Sequence, residues 1–186
     1  MVALSEMTRS LRLLVVDMQK PFLDSIHNPE NLIRRVSFAM EACKLFKIGI
    51  SVTEQTPEKL GPTFPSIHAW IDPEQIFSKD SFSALQAPGL SVQIKKTETK
   101  HLLVAGLETP ICIYQTVLDA LAQDWEVTVL SDCISCRRQE DAAPIFQTLR
   151  NTGCHLLPSE TIFYSLLGSA DHPVFSQFNQ LVKKYG

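Results

Sequence analysis

Short apolar runs alternate with amphipathic segments along this chain, and that rhythm leaves few folds open. Residues 11–17 (LRLLVVD) read as a buried strand from their Leu and β-branched content. Asn28-Pro29-Glu30 opens a helix, with Asn as N-cap and Pro at the first helical position. Leu32, Ile33, Val36, Ala39, Met40, Cys43 and Leu45 form its apolar face, and Gly49 is expected to stop it. Further strands are expected at 50–53, at 76–78 leading into Lys79, and at 101–105, 127–130 and 155–157. Helices are expected at 110–123, 140–152 (ended by Gly153), 159–167 and 173–184, with a short one within 80–86. Residues 89–99 read as a helix or an irregular connection. Pro57, Gly61, Pro62, Pro65 and Pro73 make 54–75 irregular, and so long a loop inside a compact domain is usually functional.

Strands separated by single helices imply right-handed crossovers and a mainly parallel six-stranded sheet. The expected fold class is α/β: a three-layer α/β/α sandwich, Rossmann-like, with 1–186 as a single domain. Chemistry in such sheets sits beyond the carboxyl ends of the strands, near the point where strand order reverses.

Composition narrows the function classes. With 45% hydrophobic and 20% charged residues, the chain is globular rather than disordered. A net charge of −3 offers no basic excess for a phosphate backbone, so no nucleic-acid partner is expected. No apolar run reaches the ~18 residues of a membrane span, so no membrane partner is expected either. Residues 1–10 (MVALSEMTRS) lack a signal peptide's apolar core and carry Glu6. Five cysteines, an odd number at low density, suit free thiols in a reducing cytoplasm.

Three residues stand at expected strand ends. Thr109 as N-cap and Pro110 at the first position would put Cys112 third in its helix, among unpaired N–H groups and at the positive end of the dipole. That field stabilises a thiolate, so the pKa is expected to fall, and the N–H groups are suited to an oxyanion. Alternatively, Cys112 is a small buried apolar residue, the common fate of a free cysteine. Asp17 is either a general base or a cap for a neighbouring element. Lys79 is either a fixed positive charge favouring the thiolate or a solvated lysine.

Other features carry two readings each. Gln19 and Phe22 follow Asp17; they hold and wall a pocket, or pack a loop. Trp70 is a lid aromatic or a dimer contact. Phe175, Phe178, Leu181 and Val182 form a helical stripe that suits core or subunit interface. Cys133-x-x-Cys136 follows a late strand without a second such pair, which disfavours a redox or zinc site. Arg137, Arg138, Glu140 and Asp141 read as a solvated helix start, with pocket lining as the alternative.

The chain resembles the isochorismatase-like cysteine hydrolase superfamily. LLVVDMQKPF matches its D-x-Q-x-x-F motif at Asp17, Gln19 and Phe22. FSKDSFSAL matches its lysine motif at Lys79, with Phe82 and Ser83 behind. VAGLETPICIYQTVLDAL matches its nucleophile motif at Gly106, Glu108 and Cys112, and the similarity runs on through VTVLSDCISCRRQEDA. The resemblance implies an Asp17–Lys79–Cys112 triad. It also implies a cis peptide at Leu107–Glu108, aiming the N–H groups of Glu108 and Cys112 at a substrate oxyanion. Gln19, Phe22, Glu54, Phe82 and Ile111 are the implied pocket residues.

Where nicotinamidases carry a D-x-H metal motif, this chain has Thr53, Glu54 and Gln55, and His27 and His68 stand isolated. No metal and no cofactor are therefore expected. The T-E-Q pattern looks like that of isochorismatase-domain-containing proteins and of a bacterial subgroup of uncharacterised hydrolases. The implied activity is cleavage of a C–N bond in a small amide, imide or carbamoyl compound through a cysteine thioester. The implied assembly is a homo-oligomer, a dimer or higher. A non-catalytic or redox-sensing relative that binds a partner through the same fold is the alternative.

Overall fold

The computed structural model describes residues 4–186. Strands β1 (Leu11–Val16), β2 (Gly49–Gln55), β3 (Ile76–Lys79), β4 (His101–Gly106), β5 (Glu126–Ile134) and β6 (His155–Leu157) form one sheet in the order β3-β2-β1-β4-β5-β6. Every neighbouring pair is parallel. The α/β expectation therefore holds.

Both faces of the sheet are covered, which is why β1 reads as a continuous apolar run rather than an alternating one. Leu13 and Val15 point to one core, shared with helices Pro29–Phe46, Ser159–Leu167 and Phe175–Tyr185. Leu14 and Val16 point to the other, shared with helices Leu90–Lys95, Tyr114–Leu121 and Ala142–Asn151. The first core is aromatic: rings of Phe38, Phe46, Phe163 and Phe178 meet at centroid separations of 5.7–5.9 Å. Phe178 is thus core, and Phe175, Leu181 and Val182 pack partly buried against it. Trp70 packs on the same core and carries the ammonium groups of Lys44 and Lys184 over its ring at 5.5 and 5.7 Å.

Several local expectations are corrected. Lys47, in the left-handed region at φ 57°, ends the first long helix by donating to the carbonyls of Cys43 and Lys44. Gly49 instead opens β2, where it pairs with Arg12. β2 runs on to Gln55 because its edge is held by β3, with Gln55 opposite Lys79. The remainder of the long loop is broken into turns at Pro57–Leu60, Pro65–His68 and Pro73–Gln75, each with proline at its start. A helix at Leu4–Arg9 precedes β1 and had no counterpart in the sequence reading. The segment expected as one helix over 110–123 divides into a π-helical turn, Thr109–Ile113, and a helix, Tyr114–Leu121.

β1 lies between β2 and β4, so the chain winds outward through β2 and β3 and then returns to the other side of β1. The strand order reverses in the crevice between β1 and β4. Asp17 follows β1 there, and the Leu107–Cys112 turn follows β4.

Candidate active site

Asp17 leaves β1 at φ 51°, a left-handed conformation that Asp tolerates better than most residues. Its side chain is wholly buried. Thr53, on the adjacent strand, donates its hydroxyl to Asp17 Oδ1 at 2.9 Å. Lys79, at the end of β3, donates from Nζ to Asp17 Oδ2 at 2.7 Å and is equally buried. The same ammonium donates to Gln55 Oε1, to Ser81 O at 3.0 Å and to Phe82 O at 3.3 Å. It stands 3.9 Å from Cys112 Sγ. The Asp17 carboxylate and the Glu108 backbone lie close enough to the Cys112 thiol to act on its ionisation. Asp17, Lys79 and Cys112 are therefore brought together at the carboxyl edge of the sheet.

The turn that delivers Cys112 depends on close approach. Gly106 has φ 112°, and a Cβ there would lie 2.0 Å from the carbonyl oxygen of Val16. Only glycine lets β4 end so near β1. The Leu107–Glu108 peptide is cis. Thr109 does not cap the helix: its hydroxyl and its N–H both bond Ser135 O, at 2.9 and 3.0 Å. The N–H groups of Ile111 and Ile113 both reach Glu108 O at 3.1 Å. Thr116 then ties the turn down, donating to Cys112 O at 2.6 Å and accepting from Ala84 N at 2.8 Å.

The electrostatics overturn one expectation. Burial pushes the Cys112 thiol up to about 12; the nearby Asp17 charge adds to this, and Lys79 offsets only part of it. The upward direction opposes the lowered pKa read from its place in the sequence and favours a thiol at rest. Burial also raises the Asp17 carboxyl, against the opposing pull of Lys79, Thr53 and Cys112. A carboxylate of raised basicity that shares an ammonium neighbour with a thiol is placed to accept its proton.

A cavity of about 350 Å³ opens onto Cys112. Phe22, Phe82 and Ile111 line it, together with Pro21, Gln55 and Arg137. Phe82 is 56% exposed at its rim. Gln19 and Glu54 do not line it. Along β2, Thr53 and Gln55 share the face that meets Asp17 and Lys79, so Glu54 between them points the other way. The Glu54 carboxylate accepts from Thr63 N at 2.7 Å and fastens the long loop. Gln19 is buried behind the cavity, where its amide brackets the Gln55 backbone, accepting from Gln55 N at 2.7 Å and donating to Gln55 O at 3.0 Å.

Arg137 meets both of its readings. It is solvated, at 56% exposure, and it also lines the cavity, where it pairs through Nε with the buried Glu108 carboxylate at 2.6 Å. Arg138, by contrast, pairs at the surface with Glu140 and Asp141. Gln55 was passed over in sequence; its one available signal was the period-two register with Thr53. Trp70 is absent from the cavity lining. The thiols of Cys133 and Cys136 are both buried and donate to different carbonyls, those of Arg35 and Arg138. All five cysteines are free. Among the described residues, no helix is long and apolar enough to cross a membrane.

Residues 12–161 match the isochorismatase domain model. The chain belongs to the isochorismatase family. Isochorismatase domain-containing protein 2 of Xenopus laevis is 32% identical over 175 residues, spanning 94% of this chain and 84% of that one. Among solved structures, one described as the MAR1 ribonuclease from Caenorhabditis elegans superposes with TM-score 0.88 at 28% identity, covering 95% of this chain and 91% of that one. The YcaC gene product of Escherichia coli, described as an octameric hydrolase of unknown specificity, superposes with TM-score 0.84 at 17% identity, covering 96% and 94%. Family membership supports a hydrolase.

Proposed function

We propose that this isochorismatase-family protein is a cysteine hydrolase that cleaves the C–N bond of a small amide, imide or carbamoyl compound. The observation that carries this reading is the buried Asp17 carboxylate paired with the Lys79 ammonium, whose nitrogen stands 3.9 Å from the Cys112 sulfur at the cavity. Asp17 takes the thiol proton as sulfur attacks the substrate carbonyl carbon, so no free thiolate need accumulate at rest. Lys79 compensates the negative charge that this step moves between sulfur and carboxylate. The N–H groups of Glu108 and Cys112 hold the oxygen of the tetrahedral intermediate. Asp17 then returns the proton to the departing nitrogen, the C–N bond breaks, and a Cys112 thioester remains. Water, deprotonated by Asp17, adds to the thioester carbonyl, and sulfur leaves to recover the proton.

No metal or cofactor enters this scheme. Thr53, Glu54 and Gln55 are each engaged in hydrogen bonds to protein groups. The name of the worm protein raises ribonuclease activity for a relative, but the net charge of −3 gives this chain little attraction for a phosphate backbone. The amide reading is tested by screening amides and carbamoyl compounds and trapping acyl adducts by mass spectrometry. Wild-type protein acquires the acyl mass on the peptide containing Cys112, and Cys112→Ala acquires none and loses turnover while keeping its circular dichroism. Turnover by Cys112→Ala at the wild-type rate refutes covalent catalysis.

We also infer a homo-oligomer, a dimer or higher, by analogy with the octameric YcaC relative and from the exposed Phe82 at the cavity rim. Light scattering at micromolar concentration checks it; a mass of one chain rejects it.

A further inference from the structure

Gln55 joins the buried triad to the open cavity, and its amide cannot turn over freely. Its Nε2 donates to Asp80 O at 2.9 Å, and its Oε1 accepts from Lys79 Nζ. Reversing the amide would point an NH2 group at an ammonium and an oxygen at a carbonyl, losing both bonds. The backbone is held as firmly: Gln19 brackets Gln55 N and O, and it ties them to the long loop by donating to Gly61 O at 2.6 Å. The residue lines the same cavity as Cys112. Gln55 Oε1 and Cys112 Sγ both neighbour one ammonium nitrogen.

An amide oxygen has two lone pairs, and Lys79 engages one of them. The cavity's other hydrogen-bonding groups are disposed differently. Glu108 pairs through Oε1 with Arg137, Ser25 donates its hydroxyl to Phe22 O, and Lys79, behind the lining, has three N–H donors facing four oxygen acceptors as well as the sulfur. We propose that Gln55 is a specificity-determining residue whose Oε1 accepts a hydrogen bond from the N–H of the substrate's scissile amide. The substrate class is then primary or secondary amides and carbamoyl compounds with an N–H, in preference to N,N-dialkyl amides. This rests on the reading of Cys112 as the nucleophile. Polarisation by Lys79 orients the acceptor before substrate arrives, so the site spends little reorganisation on recognition.

The experiment uses 4-nitrophenyl acetate as an activated acyl donor for Cys112, followed by nitrophenolate release and intact mass. Benzamide and N,N-dimethylbenzamide serve as competitors. In the wild type, benzamide competes about tenfold more tightly, the weight of one hydrogen bond to a polarised oxygen. Gln55→Met, which has no oxygen acceptor, erases the preference, whereas Gln55→Glu, which keeps an acceptor, retains it. A purely steric effect of the extra methyl groups would survive in Gln55→Met, and a role confined to holding Lys79 would slow acylation without altering the ratio of the two inhibition constants. Equal competition in the wild type, competition by neither amide, or a preference unchanged in Gln55→Met overturns the proposal while leaving the nucleophile in place. Failure of 4-nitrophenyl acetate to acylate wild-type Cys112 instead strikes the cysteine hydrolase reading, and the Gln55 proposal with it.

Discussion

Two aspartates, one sealed and one half-buried, each stand beside a cation and a hydroxyl and are treated in opposite ways. Asp132, on β5, accepts from Ser159 N at 2.7 Å, Ser159 Oγ at 2.6 Å and Arg35 Nε at 2.8 Å. Burial pushes its carboxyl up, but the Ser159 and Arg35 donors outweigh it, and the net shift is downward. Asp17 has Lys79, the Thr53 hydroxyl and the Cys112 thiol, and there burial prevails. The contrast lies in donors and solvent. Asp132 keeps 24% of its side chain exposed and sits on the N–H that opens the Ser159–Leu167 helix, whereas Asp17 is sealed and shares its cation with Gln55 and two backbone carbonyls. A carboxylate saturated with donors is a structural anchor; one left short of them keeps its basicity for a proton.

Exchanging each aspartate for asparagine separates the two roles. Asp17→Asn removes the proposed base, and turnover on any substrate found by screening is expected to fall by about 10²–10⁴-fold, the range for general-base loss. Asp132→Asn is expected to leave turnover per folded molecule near wild type. It should lower stability by about 2 kcal/mol, since hydrogen bonds to a charged group are weakened. For a chain of this size that is a melting temperature roughly 5 °C lower. Kinetics with active-site titration, together with thermal melts, read both. Equal losses of turnover in the two variants would erase the distinction.

That distinction was only half legible in the sequence. β1, β6 and the Ser159–Leu167 helix were readable because their apolar runs and boundaries are local. Asp17, Lys79 and Cys112 were found at strand ends, and their meeting follows from a strand order that reverses beside β1. β2 was expected to end at Thr53, so the alternation through Glu54 and Gln55, which pairing with β3 sustains, was not read. Gln55 was therefore missed and Glu54, one residue away, was chosen. The thiol's pKa was misjudged for a similar reason. A position near a helix start is visible in sequence, whereas the depth of burial and a neighbouring carboxylate are products of the fold. The pairing of Arg137 was not legible because its partner, Glu108, lies far back in the chain.

The same contrast has a pH signature. Asp132 has its folded pKa below the unfolded value, so its contribution is fully present above the unfolded pKa, near 3.8, and is lost as pH falls through the lowered folded value. Asp17 is shifted the other way: its folded form holds a proton longer, so its own contribution to stability declines as pH rises from about 3.8 toward the raised value. Denaturant melts of wild type and Asp132→Asn between about pH 3 and 6 should show the gap between them closing toward the acid end. A constant gap across that range would mean that Asp132 gains nothing from its ionisation.

The smallest effect is the most direct reading of the resting thiol. With Cys112 pushed up to about 12, its alkylation by iodoacetamide should be slow at neutral pH and still rising, without a plateau, at the highest pH the fold withstands. The other four cysteines are buried too, so the adduct is assigned by peptide mass. Lys79→Met removes the positive charge that partly offsets burial, and labelling at a given pH should slow further. Thr53→Val strips a donor from Asp17, strengthening the carboxylate as an acceptor for the thiol proton and changing the rate less than Lys79→Met does. A plateau near neutral pH in the wild type would instead show a thiolate formed before substrate arrives. The proton would then have reached Asp17 at rest, and the carboxylate left short of donors would serve as a store for that proton rather than as the group that accepts it during attack.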